Sequence, residues 1–165
     1  MKKPRLSDNF KASLVRWWFA GAVYYLIGMG TELGMNSDSL DFIFFLGLGM
    51  GITSAFILNP IIYGFFNVKR RGKSYSKKYL ERSSLQNAML RLLEIFRCFV
   101  CVVLVVLVYQ YLNLALIAIF DLQSDTAVIA GEPILFGVFY TIVYWLMDKA
   151  ADLLHRGEQK KDDKQ

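Results

Sequence analysis

The sequence predicts an all-α polytopic membrane protein with four transmembrane helices, a cytoplasmic amphipathic helix before the third, and both termini cytoplasmic. Three observations predict it. First, charge is swept out of long stretches: no Lys or Arg lies between Trp17 and Val68, or between Cys98 and Asp148. Apolar runs of that length suit a hydrocarbon core roughly 30 Å thick. Second, all 19 Lys and Arg fall in the leader, the central segment ending at Arg97, or the tail from Lys149. The two remaining loops hold Glu32, Asp38, Asp41, Asp121, Asp125 and Glu132 and no base. Cytoplasmic loops carry the excess of Lys and Arg, so this asymmetry sets N-in/C-in orientation in the cell membrane. Third, 165 residues that are 55% hydrophobic leave room for one compact domain.

Residues 1–16 form a basic leader in which Ser7-Asp8-Asn9 offers a helix cap. Phe10, Leu14 and Trp17 then recur at helical spacing, predicting a short interfacial helix. The start resembles a signal peptide, but no small-x-small cleavage site follows, so the first helix is expected to be retained. Arg16-Trp17-Trp18 suits the headgroup boundary. The membrane domain covers 17–155, and span one runs from about 17 to 33. Its residues Ala20, Gly21, Ala22, Gly28 and Gly30 allow a neighbouring backbone to approach. After turn chemistry at Asn36-Ser37-Asp38-Ser39, with Asp38 or Ser39 as a cap, span two runs 42–66, about 37 Å at the helical rise.

The connector and ramp cover 68–97. Lys69, Arg70, Arg71, Lys73, Lys77 and Lys78 form the densest basic block and are expected to contact anionic lipid. Beyond it, Leu85, Met89, Leu92, Leu93 and Phe96 share one helical face, while Gln86, Arg91 and Glu94 share another. That pattern predicts a ramp lying on the membrane surface or continuing unbroken into span three. Glu94, three residues from both Arg91 and Arg97, is expected to make surface pairs worth a few tenths of a kcal/mol. Span three is 98–120. Span four, 133–147, opens with Pro133 in the first turn and is only about 22 Å long. Either residues 127–131 also enter the membrane or the bilayer thins. Residues 156–165 read as a solvated charged tail.

Little in the chain points to chemistry. The single His155 lies in the tail, so neither a haem nor a metal site is expected, and no cofactor is implied. Cys98 and Cys101 form a C-x-x-C, which reads as packing or, less readily, as a redox pair. Gly47, Gly51, Ala55 and Asn59 recur every four residues on one stripe of span two. They suit helix packing within the bundle or docking of another subunit. Pro60 ends the stripe by deleting a hydrogen bond to the carbonyl near Phe56, which predicts a kink. Gln110 and Asn113, deep in span three, suit interhelical hydrogen bonding or substrate contact. No charged residue falls at the centre of any predicted span, which argues against a proton-coupled carrier working alone and against an autonomous multidrug exchanger. The outer acids read as solvated loop residues or as a means of concentrating cations. The basic blocks flank apolar runs with no interleaved stacking residues, so nucleic acid is not an expected partner.

These readings lead to a non-catalytic small membrane subunit that stabilises or regulates a larger transporter or complex. Its partners would be membrane lipids and another integral membrane protein or a second copy of itself. A homo-oligomeric channel or carrier for a small solute or cation is the alternative, and a membrane thiol oxidoreductase ranks behind both. In architecture alone the pattern resembles the small subunits of tripartite solute transporters, with no motif of that family matched.

Overall fold

Helix α1 spans Asp8–Gly30, and it begins where sequence chemistry places a cap. The Ser7 hydroxyl accepts the Phe10 N–H at 3.3 Å, while the Ser7 carbonyl accepts the Lys11 N–H. The computed structural model describes residues 6–30, 40–70, 73–74, 84–122 and 132–162. Within these residues the fold is helical, apart from a two-residue antiparallel pairing in the connector. There β1 (Lys69–Arg70) meets β2 (Lys73–Ser74), with Lys69 opposite Ser74 and Arg70 opposite Lys73. The interfacial leader helix is therefore not separate from span one; both are α1.

Helix α2 spans Leu40–Thr53 and passes through a π-helical turn, Ser54–Leu58, into α3, Asn59–Phe65. The predicted distortion lies here. Pro60 has no N–H to offer its preceding turn, and the chain absorbs the mismatch by widening one turn. Within that turn the Asn59 N–H bonds to the Ser54 carbonyl, five residues back.

Helix α4 runs unbroken from Ser84 to Phe120. Of the two forms expected for the ramp, this is the continuous one, and no separate surface helix precedes the span. Asp121 takes a left-handed φ of 50°, and the Leu122 N–H reaches back to the Ile117 carbonyl at 3.1 Å. This is a Schellman closure with Asp where Gly is commonest. Helix α5 spans Pro133–Asp162, so the charged tail continues the helix instead of leaving it at residue 155. Span four gains its missing length at this end, as an apolar stretch from Pro133 to Ala151. Residues 127–131 lie outside the described residues.

Among the described residues, three helices are long and apolar enough to cross a membrane: Leu40–Phe65, Leu85–Phe120 and Pro133–Ala151. α1 is not among them, because Arg16 interrupts its apolar run and Trp17, Trp18, Tyr24, Tyr25 and its glycines dilute the rest. The helices pack as antiparallel neighbours, α1 against α2 and α5, and α4 against α2 and α5. Glycine sets two of these contacts. A methyl on Gly51 would lie 2.8 Å from the Ile95 Cα, and one on Gly47 would lie 2.6 Å from the Phe99 ring. On the other side, a Cβ at Gly137 would meet the Trp17 carbonyl oxygen at 2.5 Å. The core between the helices is aromatic: Tyr24 stacks on Phe136 at 4.7 Å and meets Phe42 edge-on at 5.6 Å.

Candidate functional site

At one end of the bundle the core stops being apolar. Glu94 on α4 is only 8% exposed, contrary to the surface pairing expected for it. Its Oε1 accepts the Tyr144 hydroxyl at 2.7 Å and the Ser54 hydroxyl at 3.3 Å. The Cys98 thiol approaches it at 3.7 Å, and Asn59 hydrogen-bonds the same carboxylate. Four of the carboxylate's neighbours thus come from three other segments of the fold and from the next turn of its own helix.

Two guanidinium groups balance the charge. Arg97 pairs with Asp148 at 2.8 Å and donates to the Tyr144 carbonyl at 3.0 Å. Arg16, from α1, and Arg97 both lie over the Tyr144 ring, at 3.9 and 3.7 Å from its centroid. Both act electrostatically on Glu94. The cluster therefore holds two acids and two bases, with Tyr144 touching three of the four. Every helix of the bundle contributes: Arg16 from α1, Ser54 and Asn59 from the α2–α3 junction, Glu94 and Arg97 from α4, and Tyr144 and Asp148 from α5.

The inward turn of Glu94 follows from how the amphipathic face is used. The apolar residues Leu85, Met89, Leu92, Leu93 and Phe96 are all at least 62% exposed, while Glu94 is buried and Arg97 is partly so. In water this arrangement would be inverted. Next to hydrocarbon it is the favourable one, because lipid is as apolar as leucine and polar groups seek the bundle interior. Glu94 thus lies outside the span predicted at 98–120 but within the longer apolar helix that contains it, Leu85–Phe120, and packs against Ser54, in the interior of the helix Leu40–Phe65.

The other residues singled out from sequence fall as follows. Gly47, Gly51 and Ala55 are buried, with both glycines against α4. Asn59 is buried at 3% exposure, whereas Pro60 is exposed. Gln110 is exposed, while Asn113 is half-buried and has an interaction of its own. Lys69, Arg70 and Lys73 belong to the β1–β2 pair; Arg71, Lys77 and Lys78 lie outside the described residues. Cys98 and Cys101 are both fully buried and free, and the Cys101 sulfur lies 3.1 Å from that of Met147.

Sequence reasoning missed Arg16, Glu94, Arg97, Tyr144 and Asp148 as a group. One signal was present: Cys98, Cys101, Val102 and Val105 follow Glu94 at helical spacing and are all buried. Small residues recurring on the face that carries an acid mark that face as the packed one. The chain matches no protein-family model, no curated protein and no solved structure.

Proposed function

We propose that this chain is a four-span protein of the cell membrane, both termini cytoplasmic, which serves as a non-catalytic subunit docking on a larger membrane complex. Supporting the topology, α1 is about 34 Å long by its residue count and runs antiparallel to both α2 and α5. Alternating helix directions bring Arg16, the β1–β2 lysines, Arg91 and Lys149 to the same end, as the positive-inside bias requires.

The observation that carries the subunit reading is the outer part of α4. Its buried core positions are Cys98, Cys101, Val102 and Val105. Beyond Tyr109, which packs edge-on against Phe139 at 5.1 Å, none of the described residues of α4 belongs to a core cluster. There Tyr111, Leu114, Ile119 and Phe120 are 63–72% exposed, and the Gln110 amide sits among them, exposed. An amide facing hydrocarbon gains about 0.6–2 kcal/mol from an interhelical partner, and a helix of another subunit supplies one. The glycine stripe of α2 is used inside the bundle, so docking falls to α4. The burial of Cys98 and Cys101 among their own neighbours supports packing over thiol chemistry.

The test is purification in mild detergent with and without Gln110→Leu. The expected result is co-elution with a larger integral membrane protein and loss of that partner from the variant. If the protein elutes only with itself and its vesicles conduct cations, the homo-oligomeric channel reading replaces this one.

A further inference from the structure

Between α1, α3 and α5, beside the charged cluster, lies a cavity of about 160 Å³ whose wall includes Arg16, Tyr63, Tyr144, Asp148 and Lys149. It does not end there. Ser13 and Thr141 also line a second recess of about 350 Å³, whose other walls are Phe10, Leu14, Trp17, Val138 and Ile142. Trp17 in turn lines a third, about 380 Å³, with Trp18, Gly21, Ala22, Tyr25, Pro133 and Ile134. The three adjoin through these shared walls in a seam along α1 and α5, charged where Arg16, Asp148 and Lys149 lie and apolar in the other two recesses. From Ser13 to Tyr25 the seam follows α1 for about 18 Å, close to half of a roughly 30 Å hydrocarbon core.

The charged end favours an anion. Of the charged residues on the cavity wall, Arg16 and Lys149 are basic and Asp148 is acidic, one more base than acid. The Arg16 Nε is buried and has no hydrogen-bond partner among the described residues, which a buried donor rarely tolerates. Ser13 and Thr141 already donate to the Asn9 and Gly137 carbonyls. The basic donors on this wall are Arg16 and Lys149, the Lys149 ammonium lying 5.6 Å from the centroid of the Trp145 ring.

We propose that the α1–α5 seam binds an anionic phospholipid, its phosphate held by Arg16 and Lys149 and one acyl chain lying along α1. The occupant is a lipid and not a soluble phosphate compound, because the greater part of the seam is apolar and opens beside Trp17 and Trp18. Such rings favour the membrane boundary.

Binding is measured by native mass spectrometry of the detergent-purified protein, titrated with phosphatidylglycerol or phosphatidylcholine of matched chains. Wild type is expected to prefer phosphatidylglycerol, and Lys149→Gln to lose about fivefold of that preference, the factor one cation contributes near a membrane surface. Thr141→Phe, which fills the junction of cavity and groove, is expected to displace both lipids. A triple variant of the connector, Lys69→Gln with Arg70→Gln and Lys73→Gln, is expected to keep the preference. Arg16→Gln is not needed, since it also disturbs the buried cluster. Equal binding of the two lipids overturns the proposal. So does a preference lost in the connector variant but kept by Lys149→Gln, or glycerol phosphate competing as well as the intact lipid.

Discussion

Neutralising Glu94 tests the buried cluster most directly. In the Glu94→Ala protein, Arg16 loses a carboxylate that acts on it. Arg97 retains Asp148, and Tyr144 keeps a buried hydroxyl with no acceptor in place of its 2.7 Å bond. Removing one member of a buried ion pair costs about 3–5 kcal/mol, chiefly because the partner charge stays buried. A solvated surface pair at helical spacing is worth only about 0.3–0.5 kcal/mol, so the two placements of Glu94 differ by nearly tenfold in expected effect. The assay is reversible unfolding in mixed micelles, applied to a double-mutant cycle of Glu94→Ala and Arg16→Gln. If the pair is buried together, the double variant is less destabilised than the sum of the singles by about 1 kcal/mol or more, within the range for residues in one network. Singles costing under about 0.5 kcal/mol, with additive behaviour in the double, would falsify the buried cluster.

Three further outcomes follow from particular contacts. Gly51→Ala is expected to cost about 1–3 kcal/mol, as overpacking does, since its Cβ would press on the Ile95 backbone. Gly64→Ala, with nothing within 4 Å, should be neutral or stabilising by up to about 1 kcal/mol; equal effects at the two sites in the same unfolding assay remove the close α2–α4 contact. Cys98 and Cys101 are expected to resist maleimide in the native protein and to react once it is unfolded, and rapid native labelling of both contradicts their burial. Trp17→Phe, which removes the indole donor 3.2 Å from the Ile134 carbonyl, should lower stability by about 0.5–1.5 kcal/mol; no change in the midpoint argues against that tie between α1 and α5.

The helical architecture was legible because a membrane imposes a coarse rule on composition: charge leaves the crossing segments and gathers at one side. That rule located span two within two residues of α2–α3 at each end, and Pro60 announced the widened turn. It failed at the ends of spans, where the helix outlasts the apolar run. Arg91, Glu94 and Arg97 made residues 85–97 look like a segment outside the bilayer, yet α4 is continuous through them. The same holds for α5 beyond Met147. Residue type alone does not say whether a charge is in water or folded against opposite charge, since that depends on the neighbour from another helix. Tyr144 illustrates the difficulty. It reads as one more aromatic in an apolar run, and its importance lies in meeting Arg16, Glu94 and Arg97, which are distant in sequence.

The position of the cluster also bears on how a partner would be held. Polar attraction ties all four helices together at the end where Glu94 and Arg97 lie, whereas beyond Tyr109 no described residue of α4 belongs to a core cluster. In hydrocarbon there is no apolar drive to close that end, because lipid tails cover it as well as another leucine does. What distinguishes a helix from lipid there is Gln110, which lipid tails cannot hydrogen-bond. A bundle locked at one end and presenting one amide at the other is thus suited to accept a helix of complementary polarity without rearranging its own core. Glu94, held by Tyr144, Ser54 and two guanidinium groups, is correspondingly poorly placed to exchange ions with a moving substrate. A carboxylate clamped in this way is consistent with the proposed scaffold role, alongside the absence of charge from the centres of the predicted spans.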